Sequence, residues 1–211
     1  MKKFLFFTSV FFSLSGLMGQ SFNGSIEFKY ATQKDTTTNV YWVKDKLVKL
    51  DQYSRKGNSI EGSFIFDLSA GQIKFVNPKR KLWGNQKSET PQVIHGQCVV
   101  TKGGTRVVAG IKCTEYTVKN IEENTVITYW VGDGGFNFFS PLVKLWNRKD
   151  KQSIYFAQIK GLSEGSMPLM SEERQLADGK MLTRLEVVKI TKTLPDDASM
   201  SVPANYNKFD Q

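Results

Sequence analysis

Proton shuttling, nucleophilic attack and metal ligation lean on histidine and cysteine, and this 211-residue sequence has one histidine and two cysteines. His95 stands in the strand-like stretch Val93-Ile94-His95-Gly96, and with Cys98, Cys113 and the nearby acids it forms no spacing that marks a metal site. Its expected role is structural or at the surface. An acid pair facing a groove is the other route to hydrolysis. Here Glu172 and Glu173 are neighbours that point to opposite faces of a strand, while Asp196-Asp197 read as part of a turn. Gly132-Asp133-Gly134-Gly135 lacks both the lysine of a phosphate loop and the further oxygen ligands of a calcium loop. No catalytic residue, metal or cofactor is implied, and the balance leans away from an enzyme.

What the sequence does concentrate is aromatic side chains. Trp130, Phe136, Phe138, Phe139 and Trp146 crowd a passage from strand to helix, with Leu142 on the same helical face as Phe139 and Trp146. Most such clusters are simply core. The functional alternative is that the helix covers an open sheet and that these six residues line a pocket for an apolar ligand, with lysines at its rim to attract an anionic headgroup.

Cys98 and Cys113 flank Lys102-Gly103-Gly104-Thr105, which reads as a tight reversal between two strands. Neighbouring strands would bring the thiols together, and an oxidising compartment favours pairing them. Such a bridge is worth about 3 kcal/mol in the chain-entropy model. The alternative is two separate thiols.

Export is written at the start of the chain. Lys2 and Lys3 precede an uncharged apolar run over residues 4–17, and small residues follow, so residues 1–19 are expected to be a cleaved signal peptide ahead of one domain over 20–211. The run is shorter than the ~20 residues that a spanning helix needs. Losing Lys2 and Lys3, and no acid, lowers the formal charge from +9 to +7. A basic exported domain is drawn to anionic envelope surfaces. Its lysines are scattered, as at Lys44, Lys46, Lys49, Lys74, Lys79 and Lys81, with no basic helix, so nucleic acid is not an expected partner. The expected location is the periplasm or the cell exterior.

The elements that must position these residues are mostly strands. Ile26-Glu27-Phe28-Lys29-Tyr30 alternates apolar and polar, Val40-Tyr41-Trp42-Val43 and Leu47-Val48-Lys49-Leu50 flank a turn at Asp45, and Phe64, Phe66 and Leu68 share one strand face. Ser69-Ala70-Gly71 and Ala177-Asp178-Gly179 are further turn signals. The stretch 85–92 reads as loop, 153–160 as either helix or strand, and the tail from residue 195 as loosely ordered. Ser140 as cap and Pro141 at the first position predict a helix over 140–149. Short turns without helical crossovers require antiparallel pairing. The fold class is therefore mainly β with minor α: an antiparallel incomplete β-barrel, a half-barrel, with the helix packed on its concave face.

Gly24-Ser25-Ile26-Glu27-Phe28, Ala109-Gly110-Ile111-Lys112-Cys113-Thr114-Glu115-Tyr116, the later Tyr129-Trp130, Met167-Pro168-Leu169 and Val202-Pro203-Ala204-Asn205-Tyr206 resemble domain-of-unknown-function family 4412 of exported bacterial proteins. In outline, with Phe64-Ile65-Phe66-Asp67 running through to Phe75-Val76-Asn77-Pro78, the chain is also similar to the lipoprotein-carrier (LolA/LolB-like) superfamily. That resemblance implies a hydrophobic cavity for acyl chains and hence a non-catalytic binding module or carrier for a lipid, lipopeptide or other apolar ligand. An envelope hydrolase using an acid pair and a structural or interaction protein of the envelope are the alternatives.

Overall fold

The computed structural model describes residues 21–55, 59–90, 92–147 and 150–209. The expected signal peptide at 1–19 lies outside them. Among the described residues, twelve strands and two helices follow in the order β1 (Gly24–Thr32), β2 (Thr36–Lys44), β3 (Leu47–Tyr53), β4 (Ile60–Asp67), β5 (Gln72–Asn77), β6 (Leu82–Gln86), β7 (Cys98–Val108), β8 (Ile111–Asn120), β9 (Thr125–Asp133), α1 (Phe139–Trp146), α2 (Lys151–Phe156), β10 (Ser166–Gln175), β11 (Met181–Thr191) and β12 (Asn207–Lys208).

All strands join one open sheet, in the order β12-β6-β5-β4-β3-β2-β1-β11-β10-β9-β8-β7. The neighbours are antiparallel except β12 beside β6. The result is the mainly-β half-barrel expected from the sequence. Two meanders, β1 to β6 and β7 to β11, meet where β1 pairs with β11. The alternation in β1 does what its period demands, because Ile26 and Phe28 are buried while Glu27 and Lys29 are not.

The reversal expected at Gly103-Gly104 is not a reversal. β7 runs on through both glycines, which form a bulge between Lys102 and Thr105, and the chain turns at Ala109-Gly110. Both turn residues have positive φ, 47° and 81°, as a two-residue hairpin loop requires. The same shift corrects the disulfide. Cys98 sits opposite Asn120 and Cys113 opposite Arg106, so the thiols are seven positions apart along β8, from 113 to 120. At strand rise that is about 23 Å, against the roughly 7 Å between Cα atoms that a bridge tolerates. Both cysteines are free.

Two further expectations change. β6 lies where the sequence read partly as loop, and the tail is not loose: Met200 is 1% exposed, and Phe209 donates its amide to the Trp83 carbonyl at 2.7 Å. Gly84 permits that approach, since a Cβ there would stand 2.8 Å from the Phe209 carbonyl oxygen and 2.8 Å from the Phe75 ring.

α1 starts one residue before Ser140 and ends at Trp146, three residues short of 149. Phe138 occupies the N-cap without a side-chain cap bond, so Ser140 lies inside the helix. Asn147 in the left-handed region stops it by returning its amide to Val143. α2 begins at Lys151, two residues before the undecided stretch, because the Asp150 carboxylate accepts from the Ser153 amide at 2.9 Å.

Candidate functional site

Strand register brings side chains from five strands into one row. Tyr129 on β9 lies opposite Ser171 on β10, Ser171 opposite Leu185 on β11, Leu185 opposite Tyr30 on β1, and Tyr30 opposite Thr37 on β2. A second row runs Phe28, Asn39, Gln52, and a third Tyr41, Leu50. Cross-strand partners share a face. All of these residues line one cavity of about 390 Å³, which the two helices cover with Phe139, Leu142, Val143 and Trp146 from α1 and Gln152 and Ser153 from α2. Its volume is in the range of pockets that hold small ligands.

The sequence-predicted site residues divide into two groups. Phe139, Leu142 and Trp146 line the cavity. Phe136 and Phe138 do not; they are 0% and 4% exposed and pack with Phe22, whose ring lies 5.3 Å from that of Phe136 and 6.3 Å from that of Phe138. Trp130 follows Tyr129 along β9, so strand alternation turns it away from the cavity that Tyr129 faces. There the Arg106 guanidinium stands 5.1 Å from its ring centroid.

α1 is seated by aromatic contact. Trp146 lies 5.1 Å from Phe64 and 4.9 Å from Phe66, measured between ring centroids. The floor continues as Phe28 stacked on Tyr41 at 4.9 Å. α2 is seated by Phe156, whose ring lies 5.6 Å from those of Tyr129 and Phe139, and by polar contact. The Tyr129 hydroxyl donates to the Gln152 carbonyl at 2.7 Å, the Gln152 amide donates to the Thr183 hydroxyl at 2.7 Å, and Ser171 donates to the Gln152 side-chain oxygen. Thr183 in turn donates to the buried Glu173 at 2.8 Å. Below the helix, the Tyr155 hydroxyl donates to Glu123 at 2.5 Å, and Lys151 pairs with the same carboxylate at 3.2 Å.

These contacts set the charges. Burial pushes the Tyr129 hydroxyl well above its ordinary value, with Asp150 and Glu173 adding to the effect. Burial and then the Glu123 carboxylate raise Tyr155. Burial alone would raise Glu123, but hydrogen bonds from Tyr155, the His95 amide and Lys151 together hold it below the usual carboxylate range.

Sequence reasoning missed the polar half of the lining: Thr32, Asp35, Thr37, Asn39, Gln52, Asp150, Gln152, Ser153 and Ser171. It also expected cations at the rim. The described lining residues include two aspartates and neither lysine nor arginine. Asp35 is paired with Arg55 at 2.6 Å, and Asp150 caps α2. The other acids considered are placed elsewhere. Glu172 pairs with Arg174 at 2.6 Å, Asp196 accepts from the Ser199 amide at 2.8 Å, and Asp197 pairs with Lys44. Asp133 braces its loop by accepting from the Gly135 amide at 3.2 Å. His95 is exposed, and its amide donates to Glu123 at 2.8 Å.

The chain is an open antiparallel half-barrel with a helix-covered cavity on one face. The chain belongs to the domain-of-unknown-function family DUF4412, whose model matches residues 22–206. No curated protein matches it. Among solved structures it is similar to an uncharacterized conserved protein from Thermus thermophilus, with a TM-score of 0.51 at 8% identity, covering 89% of this chain and 90% of that one. MucB in complex with MucA(peri) gives a TM-score of 0.48 at 13% identity, covering 86% of this chain and 54% of that one. A LolA superfamily protein from Nitrosomonas europaea gives 0.35 at 9% identity, covering 87% and 91%.

Proposed function

We propose that this protein is an exported, non-catalytic binding module or carrier of the cell envelope, holding a lipid, lipopeptide or other apolar ligand between the sheet and its two helices. The observation that carries the reading is the cavity itself: about 390 Å³ walled by Phe28, Leu50, Phe139, Leu142, Trp146 and Leu185, with hydroxyls and amides interspersed. Apolar walls with a few placed polar groups are what small-molecule sites share. Among the described residues no helix is long and apolar enough to cross a membrane. Export itself is inferred from the basic and apolar character of residues 1–19.

Native mass spectrometry of protein recovered from the exported fraction tests both halves of the reading. The expected protein mass is that of a chain starting at or near Gln20, with an additional mass that extracts into organic solvent. Retention of Met1 would overturn export. For the cavity, the neutral dye N-phenylnaphthylamine is expected to bind and to be displaced by lipid, and Phe139→Ala to weaken it several-fold. Phe139 is only half-buried, so this variant is expected to remain folded. If the folded protein binds neither dye, fatty acid nor phospholipid, the carrier reading falls.

The hydrolase alternative needs two acids free to act on a substrate. Asp35 and Asp150 do line the cavity, but one is bound to Arg55 and the other to the first turn of α2.

A further inference from the structure

We infer that the β7 edge of the sheet is a docking site for an extended segment of a second protein, acidic at its centre and β-branched towards both ends, which adds to the sheet as a further strand. The site is separate from the cavity and stands whether or not a ligand fills it. An open sheet has two edges, and here they are finished differently. At one, the C-terminal tail folds back so that β12 covers part of β6. At the other, β7 is 11 residues long and, among the described residues, pairs with β8 alone. No backbone amide or carbonyl over 99–107 bonds to a described residue outside that pair. Such a row of backbone groups is a template for a strand from another chain.

Side chains define which strand fits. Cross-strand partners share a face, so Val100, Lys102 and Val107 lie with Lys112 on one face of the edge, while Val99 and Arg106 lie with Lys119 on the other. Valines therefore stand towards both ends of β7 and its cations nearer the middle. Val99 and Val107 are 57% and 66% exposed, and a strand laid beside them would cover them. The charged residues of β7 and β8 are Lys102, Arg106, Lys112, Lys119 and Glu115. Among the described residues, the three lysines have no ion pair, and Arg106 reaches neutral partners, the Trp130 ring and the Met170 sulfur. Glu115 lies at the bulge, where a Cβ on Gly103 would stand 2.9 Å from its carboxyl carbon, and one acid leaves the edge positive.

A second copy of this chain is the wrong occupant. In a symmetric antiparallel pair centred on Gly104, Lys102 of each copy would face Arg106 of the other, and like charges directly opposite are destabilising. The bulge between Lys102 and Thr105 adds local twist, which also keeps identical edges from meeting flat. These devices exclude a copy yet admit a strand with acids where the cations stand, which is how repulsion builds specificity.

Three fluorescein-labelled peptides of the same length as β7 test this on the full protein. The first has two glutamates at its centre, flanked by alternating valine and threonine. The second has lysines in place of the glutamates, and the third repeats the first with its backbone nitrogens methylated. By fluorescence anisotropy at low salt, the glutamate peptide is expected to bind about tenfold more tightly than the lysine peptide, the ratio that two cross-strand charge contacts allow. The methylated peptide cannot donate to β7 and is expected not to bind. With the glutamate peptide bound, hydrogen exchange is expected to slow at amides within 99–107. Lys102 and Arg106 are both exposed, so Lys102→Glu with Arg106→Glu is expected to keep the fold and to reverse the preference. Equal binding of the two charged peptides, binding of the methylated one, or an unchanged preference in the double variant would overturn the inference. So would failure of every peptide to bind, or a dimer of the unaltered protein that the glutamate peptide takes apart, since the edge would then belong to a second copy. None of these outcomes touches the cavity reading, which its own dye experiment decides.

Discussion

Two helices cover the same sheet, and the second adds a polar network to its apolar contacts. α1 rests on rings: Trp146 against Phe64 and Phe66, with Leu142 1% exposed among them. α2 packs Phe156 5.6 Å from Tyr129 and from Phe139, and adds hydrogen bonds from Tyr129 and Ser171 to Gln152 and from Tyr155 to Glu123. They also belong to different clusters of buried residues. α1 joins the one containing Ile26, Phe66 and Cys113, whereas α2 packs where Val118, Ile127 and Tyr129 gather. An apolar contact is non-directional and tolerates sliding. A buried polar network fixes one geometry and is costly when a member is missing. The cavity thus has one adaptable wall, where α1 contributes its rings, and one wall whose donors and acceptors are set.

Breaking the apolar support has the largest expected effect. Trp146→Ala removes an indole that is 8% exposed, and such truncations cost about 3–5 kcal/mol. Because Trp146 borders the cavity, the void opens into existing space and the low end of that range is expected. Thermal unfolding measures it, and loss below about 1 kcal/mol would mean that α1 is not anchored by these rings.

The polar support fails more gently and in a way that pH reveals. Tyr155→Phe deletes the hydroxyl that donates to Glu123 but leaves the His95 amide and Lys151 on that carboxylate, so about 1–2 kcal/mol is expected. Glu123 has its folded-state value depressed below the ordinary 4.5. Its contribution is therefore complete above that value and is lost as pH falls through the folded-state value. Tyr155 is raised above the ordinary 10, so its contribution is complete below 10 and is lost as pH rises beyond it. Stability measured against pH should show both limbs, and Tyr155→Phe should flatten both. Unchanged limbs would show that the network does not stabilise the fold.

How much of this could be read from sequence follows the same division. The strands whose faces are cleanly apolar were legible: Ile26 and Phe28, Phe64 and Phe66, and the α1 face of Phe139, Leu142 and Trp146 all carry their burial in their spacing. The polar half of the cavity was not. A strand such as Thr36-Thr37-Thr38-Asn39 reads as solvated, and only pairing to β1 and β3 turns Thr37 and Asn39 inward. Turn chemistry was legible but not its choice between candidates. Gly103-Gly104 and Ala109-Gly110 both suit a reversal, and what decides is that turning at 109 lets β7 pair with β8 over its full length. That gain is set by the whole ladder and is invisible in either dipeptide. Trp130, Phe136 and Phe138 were grouped with Phe139 by proximity in sequence, yet strand alternation and the bend before α1 send them to different places.

The smallest expected effect is none at all, and it bears on how the two regions are joined. Cys113 is buried in the α1 cluster and Cys98 packs against the α2 cluster, so a bond between them would staple the two together. The hairpin at Ala109-Gly110 places them at opposite ends of the β7–β8 ladder, and closing about 23 Å would require the register to slip by several residues. A slip by an odd number would turn Val118 and Asn120, both 0% exposed, out of the interior. A slip by an even number would leave Val108 or Cys98 without a partner strand. Thiol labelling of the denatured, unreduced protein is therefore expected to find both cysteines, and a reductant to leave the unfolding temperature unchanged. Burial pushes the Cys113 thiol above its usual range, so in the folded state it should label far more slowly than Cys98, which is only partly covered. Equal labelling rates would mean that the α1 cluster opens as readily as the α2 cluster, and the contrast between an apolar and a polar anchor would have no dynamic counterpart.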